Sequence, residues 1–169
     1  MVELKPGDVF CTKNPQGLGR VICFAESLRS ADGEATYGHS GIIIDSNGTT
    51  LEAVWHISRQ NLFDAYKGNQ VMIARWSGMT LTAFLKGWDS VKGEIGRDYP
   101  YYRLLMHLLG LAKWIHFQTP VCSELTEKFL INAGAATLGG KNWWGLTPDN
   151  LADEWRISRH FEIIYEGTL

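Results

Sequence analysis

Cys122, His39 and Glu52 are residue types that suit one another for nucleophilic chemistry. A thiolate attacks an acyl carbon, an imidazole takes and returns the proton, and a carboxylate orients the ring. The stretch Thr119-Pro120-Val121-Cys122-Ser123-Glu124-Leu125 reads as a helix start, a hydroxyl cap followed by a residue pre-set for the first turn. Leu125, Phe129 and Ala133 recur four apart, which predicts one apolar helical face as far as Ala133. Cys122 then falls in the first turn, where unsatisfied backbone N–H groups and the helix dipole favour a thiolate. Its own N–H is a natural oxyanion donor there. A plainer role fits the same spacing. Cys122 lies three before Leu125 and seven before Phe129, on the stripe a buried structural thiol would occupy.

A hairpin is the element that must position the other two residues. Gly38-His39-Ser40-Gly41-Ile42-Ile43-Ile44 and Thr49-Thr50-Leu51-Glu52-Ala53-Val54 are two β-rich runs separated by Ser46-Asn47-Gly48. The unbroken Ile42 to Ile44 run predicts a strand covered on both faces. His39 starts the first strand and Glu52 stands near the end of the second, so antiparallel pairing brings them close. Taken singly, each has an ordinary reading, a satisfied histidine at a strand start and a solvated acid at a strand end.

Around that hairpin, Pro6-Gly7-Asp8 predicts a turn and Val9 to Thr12 a short strand. Arg20 to Arg29 has a one-faced helical pattern, Val71 to Arg75 reads as a strand, and Thr80 to Ile95 as a helix. That helix should bury Leu81, Phe84, Leu85, Trp88 and Val91. Thr147-Pro148-Asp149-Asn150 is a second capped start, running to about Trp155, and Phe161 to Tyr165 reads as a closing strand. No linker, repeat or low-complexity stretch divides the 169 residues, so residues 1–169 are expected to form one α+β domain.

Composition narrows the classes. With 45% hydrophobic and 20% charged residues the chain suits a folded globular protein. A net charge of −2 with no Lys/Arg block argues against a nucleic-acid partner. Cys11, Cys23 and Cys122 form no C-x-x-C pair, which argues against a zinc knuckle or redox dithiol. Free thiols in a reducing compartment fit best, and a Cys11–Cys23 bridge stays open. The five histidines show no H-E-x-x-H spacing, so no metal is expected, and Gly38-His39-Ser40-Gly41-Ile42 lacks the last glycine of a serine elbow. The N-terminus reads as lacking a signal peptide, so the chain is expected to be cytoplasmic as synthesised, or phage-borne and released by lysis. The apolar run Leu104 to Ile115 is too short to span a bilayer. Nothing in the sequence sets an oligomeric state.

Tyr37-Gly38-His39-Ser40-Gly41-Ile42, the hairpin with Leu51-Glu52-Ala53, and Val121-Cys122-Ser123-Glu124-Leu125 together resemble the permuted NlpC/P60 papain-like cysteine hydrolases, more narrowly their YiiX/YebB-type branch. In that branch the His and Glu strands precede the Cys helix, which is the order here. Pro6-Gly7-Asp8-Val9 is similar to its first strand and Thr147-Pro148-Asp149-Asn150-Leu151 to a closing motif. Gly96-Arg97-Asp98-Tyr99 is a looser match that departs from a Gly-x-x-Tyr-Asp element at Pro100. The resemblance implies an antiparallel sheet of about five or six strands with helices packed on one side. It also implies a Cys122-His39-Glu52 triad that hydrolyses an amide through a thioester, without cofactor, most commonly in peptidoglycan stem peptides. Tyr37, Tyr99, Trp143 and Trp144 are the aromatic candidates for a substrate groove.

Two other functions stand beside that one. The first is a lipid-directed acyltransferase or phospholipase of the same superfamily. Its Asn-Cys-Glu-His signature is absent here, although the apolar Leu104 to Ile115 segment suits a membrane-facing element. The second is a non-catalytic binding module that keeps the fold as a scaffold.

Overall fold

The computed structural model describes residues 2–13, 36–98, 120–136 and 146–169. In chain order the elements are β1 (Val9–Thr12), β2 (His39–Ile43), β3 (Thr49–Ala53), β4 (Ile57–Asn61), the short α1 (Leu62–Ala65), β5 (Gln70–Trp76), α2 (Leu81–Val91), a 3₁₀ turn (Lys92–Glu94), α3 (Cys122–Ala133), α4 (Pro148–Ile157) and β6 (Phe161–Thr168). The fold is α+β. Its strands form one six-stranded antiparallel sheet in the order β4-β3-β2-β1-β5-β6. The expected helix at 20–29 and the apolar run at 104–115 lie outside the described residues, as do Cys23, Tyr99, Trp143 and Trp144.

The sheet is covered on both faces, which is why its central strands carry unbroken apolar runs. Side chains alternate along a strand, so Val9, Cys11, Ile42, Leu51, Met72 and Ala74 face one core with Val91, Leu125, Phe129, Leu151 and Trp155 of the helices. Phe10, Ile43, Val71 and Ile73 face the other, with Leu4, Leu62 and Tyr66.

The β2–β3 hairpin forms as its sequence predicts, and its turn is held by more than Asn-Gly. Gly48 takes a φ of 82°, a left-handed conformation that costs glycine little. The Asp45 carboxylate accepts the N–H groups of Asn47 (2.8 Å) and Thr49 (3.0 Å). The resulting register pairs Gly41 with Glu52 and Ile43 with Thr50. Pro6-Gly7-Asp8 also turns as expected. Asp8 accepts two bonds from Arg75 at 2.8 Å and the Lys5 N–H at 2.7 Å, which fastens the turn to β5.

Two helices differ from their sequence reading. In α2, Val91 is buried and Phe84 and Trp88 pack partly buried against the core as expected, but Leu81 and Leu85 are exposed (75% and 49%) and Ala83 and Gly87 are buried instead. Size as well as hydrophobicity sets this face. A Cβ on Gly87 would lie 2.7 Å from the Phe129 ring and 2.8 Å from the Phe129 carbonyl oxygen, so only a glycine lets the two helices approach so closely. In α3 the cap is Val121 rather than Thr119, and Cys122 is the first helical residue. Glu124 accepts the Val121 N–H at 3.1 Å, half of a capping box, which satisfies the cap from inside the first turn.

Candidate active site

His39 and Glu52 meet across the hairpin. Glu52 stands opposite Gly41, two residues from His39 on the same face, and the missing side chain at Gly41 leaves room for the contact. A Cβ there would lie 2.7 Å from the Phe10 ring and 2.9 Å from Glu52 Cγ. His39 Nε2 is 2.8 Å from Glu52 Oε2, with both side chains buried. Cys122 lies near enough to the ring to help hold its charge. Because Nε2 is engaged by the carboxylate, Nδ1 is the nitrogen left for the sulfur. All three sequence candidates are therefore brought together.

The electrostatics of the ring follow from this arrangement. Burial opposes charge on His39, but its bonds to Cys122 and Glu52, and the negative charges of those groups, outweigh it. The imidazole is pushed up from 6.5 to about 10. It is charged at neutral pH, with a proton on each nitrogen.

Glu52 has two further partners that the sequence reading missed. The Thr50 hydroxyl donates to Oε1 and the Tyr66 hydroxyl to Oε2. Thr50 carries a local signal, since it stands two before Glu52 on the same strand and shares its face. Tyr66 carries none. It returns from beyond β4 through α1, whose first turn is capped by the Asn61 side chain. Burial first, and then the charge of Glu52, push the Tyr66 phenol far above its ordinary value and keep it a donor. Phe10, Tyr66 and His39 pack as a ring cluster, with centroids 5.6 to 6.3 Å apart.

The sulfur is held by the packing of α3 against β2. Thr126 Oγ1 donates to the Cys122 carbonyl at 3.1 Å and lies 3.3 Å from Ser40 Oγ. Ser40, next to His39, and Thr126, one helical turn on from Cys122, are thus within hydrogen-bond reach. Segment 146–149 ties the same elements from behind. Asp149 Oδ1 accepts the N–H groups of Thr36 (2.9 Å) and Tyr37 (3.3 Å), Pro148 accepts from Cys11 Sγ (3.3 Å), and Leu146 accepts from Ser123 Oγ (2.5 Å). The Thr147-Pro148-Asp149-Asn150 motif therefore holds the approach to the His39 strand, β1 and the Cys122 helix in one arrangement.

Tyr37 does not line an open groove. It is fully buried, and its hydroxyl donates to Glu166 Oε1 at 2.9 Å. Tyr99, Trp143 and Trp144 fall outside the described residues. Asp98 of the looser motif pairs through its backbone with His56, in an isolated antiparallel bridge beside the β3–β4 turn.

Among the described residues, no group of three His, Cys, Asp or Glu side chains is arranged to hold a metal ion. No described helix is long and apolar enough to cross a membrane.

No protein-family model matches the chain, and no curated protein matches it. Among solved structures, the fold is similar to a protein titled metalloprotein yiiX from Escherichia coli O157:H7, DUF1105, with a TM-score of 0.67 and 13% identity over 99% of both chains. The chain has a YiiX-like fold.

Proposed function

We propose that this protein is a cysteine hydrolase of one domain, with the permuted papain-like order of its catalytic residues. Cys122 is the nucleophile, His39 the acid and base, and Glu52 the orienting group. One observation carries the reading: a buried histidine 2.8 Å from a buried carboxylate and in the field of a thiol, with the thiol on the first residue of a helix.

The chemistry follows from those positions. An imidazolium against the sulfur is the partner a thiolate requires. The thiolate adds to an amide carbonyl carbon, and the resulting oxyanion meets the Cys122 N–H, which has no intrahelical acceptor at the first helical position. Collapse breaks the C–N bond as His39 passes a proton to the leaving amine. Water, deprotonated by the now neutral His39, then hydrolyses the thioester, releasing the acid and restoring the thiolate. Glu52 stays buried and keeps Nδ1 directed at the sulfur throughout.

The similar solved structure is titled a metalloprotein. Here Glu52 already accepts Thr50, Tyr66 and His39, so its oxygens are taken by hydrogen-bond donors. That donor set does not fit an ion, and no step is routed through one.

Peptidoglycan stem peptides are the first substrates to assay. Release of an amine from such a fragment, abolished in Cys122→Ala, is the expected result. Fatty-acid release from vesicles instead would move the reading to a lipid-directed acyl enzyme. Biological effects left intact in Cys122→Ala would move it to a binding scaffold.

A further inference from the structure

Glu52 is fully buried and accepts three donors: His39 on one oxygen, Tyr66 on that same oxygen, and Thr50 on the other. A buried His–Glu pair has two ways to hold its shared proton. It can rest as imidazolium with carboxylate, or as neutral imidazole with carboxylic acid. Each hydroxyl donated to the carboxylate favours the first, because a hydrogen bond to the charged form stabilises that form. The titratable groups facing the pair from the packed elements are Cys122 from α3 and Tyr66 from the end of α1.

We infer that Tyr66 and Thr50 are positioning residues of this site: their hydroxyls hold Glu52 as an oriented carboxylate, so that the shared proton stays on His39 and the ring stays aimed at Cys122. Tyr66 is well placed for this because its ring packs against both Phe10 and His39. Its hydroxyl is therefore fixed relative to the imidazole as well as to the carboxylate. For turnover the inference rests on the cysteine-hydrolase reading; for the protonation of His39 it does not.

The test uses this chain labelled with ¹⁵N-histidine, titrated from pH 6 to pH 11. Ring-nitrogen shifts report neutral against charged imidazole, and the alkylation rate of Cys122 by iodoacetamide at pH 6 is followed in parallel. Tyr66→Phe keeps the ring and removes the hydroxyl. At the wild-type midpoint the neutral-to-charged ratio of His39 should rise about tenfold, which lowers the midpoint by about one pH unit, the scale of one charge-assisted bond, and the alkylation rate should fall. Thr50→Val should act in the same direction and Thr50→Ser should restore wild-type behaviour. If Tyr66→Phe does not fold, the Val and Ser pair at Thr50 decides alone.

Folded Tyr66→Phe and Thr50→Val proteins with an unchanged ratio and rate would overturn the inference, as would a wild-type His39 already neutral at pH 7. If the ring responds while wild-type Cys122 reacts like an ordinary thiol, the positioning role stands and the hydrolase reading fails. A hyper-reactive Cys122 with an indifferent ring gives the reverse.

Discussion

Glu52 and Glu166 each accept a tyrosine hydroxyl and each pair with a basic side chain, yet they sit in opposite circumstances. Glu52 is buried against His39, which can surrender its proton and which also interacts with Cys122. Glu166 is 38% exposed and pairs at 2.5 Å with Arg156, which cannot surrender one. The thiols differ too. Cys11, in the sheet near Tyr37, donates to the Pro148 carbonyl, whereas Cys122 opens a helix beside an imidazole. A carboxylate, a tyrosine and a cation make a structural clasp in one place. With a titratable cation, burial and a helix N-terminus, nearly the same set is equipped for proton transfer.

The sharpest way to break this comparison is to remove the titratable cation. His39→Ala should slow alkylation of Cys122 at pH 6 by about two orders of magnitude, the scale of a lost acid–base partner. Peptide mass spectrometry should meanwhile find Cys11 unreactive across the same pH range. Equal reactivity of the two thiols in the wild-type protein would erase the distinction.

Gly41→Ala comes next, because its Cβ would press on Phe10 and Glu52 at once. Overpacking of this kind costs about 1–3 kcal/mol and should displace the carboxylate, so both the denaturation midpoint and Cys122 reactivity should drop. Gly93→Ala is the control, since a Cβ there meets nothing within 4 Å. Its stability should change by no more than about 0.5 kcal/mol.

The two carboxylate sites should also respond to opposite pH windows. The His39 pKa is raised above its unfolded value of 6.5, so its stabilisation is fully present below pH 6.5 and is lost as pH rises towards 10. Urea midpoints should fall across that interval in wild type and stay flatter in His39→Gln. At Glu166 burial resists the charge, but the bonds from Arg156 and Tyr37 outweigh it and hold the carboxyl below its ordinary 4.5. That stabilisation is present above pH 4.5 and is lost as pH falls further.

The smallest effect belongs to Glu166→Gln. A partly exposed ion pair is worth about 0–1 kcal/mol, so the melting point should move by a few degrees at most, and less in high salt. Alkylation of Cys122 should not change. A strong effect on Cys122 would mean that the two sites are coupled through Tyr37 and the start of β2.

Local rules made much of this molecule legible. Alternation and the Asn-Gly signal located the hairpin, and with it the pairing of His39 with Glu52, because both depend only on residues a few positions apart. The four-residue repeat of Leu125, Phe129 and Ala133 located the Cys122 helix, and all three residues are buried. The Thr147-Pro148 start of α4 was equally readable, since the Thr147 hydroxyl caps its own first turn. Where a cap depended on competition between neighbours, as at Thr119 and Val121, the sequence pointed two residues early.

Tertiary packing decided the rest. That α2 turns Gly87 rather than Leu81 or Leu85 to its neighbour depended on how closely it could approach Phe129, a matter of shape that hydrophobicity does not record. Tyr37 looked available for a groove and became a buried clasp on Glu166, because its neighbours in space are 119 to 129 positions away in the chain. Tyr66 reached Glu52 only after a strand and a helix had folded the chain back on itself. Periodicity and capping act within a turn or a hairpin, so they placed Cys122, His39 and Glu52 on their elements. The hydroxyls that hold that acid in place, apart from Thr50 on its own strand, come from contacts that exist only once the sheet has closed around it.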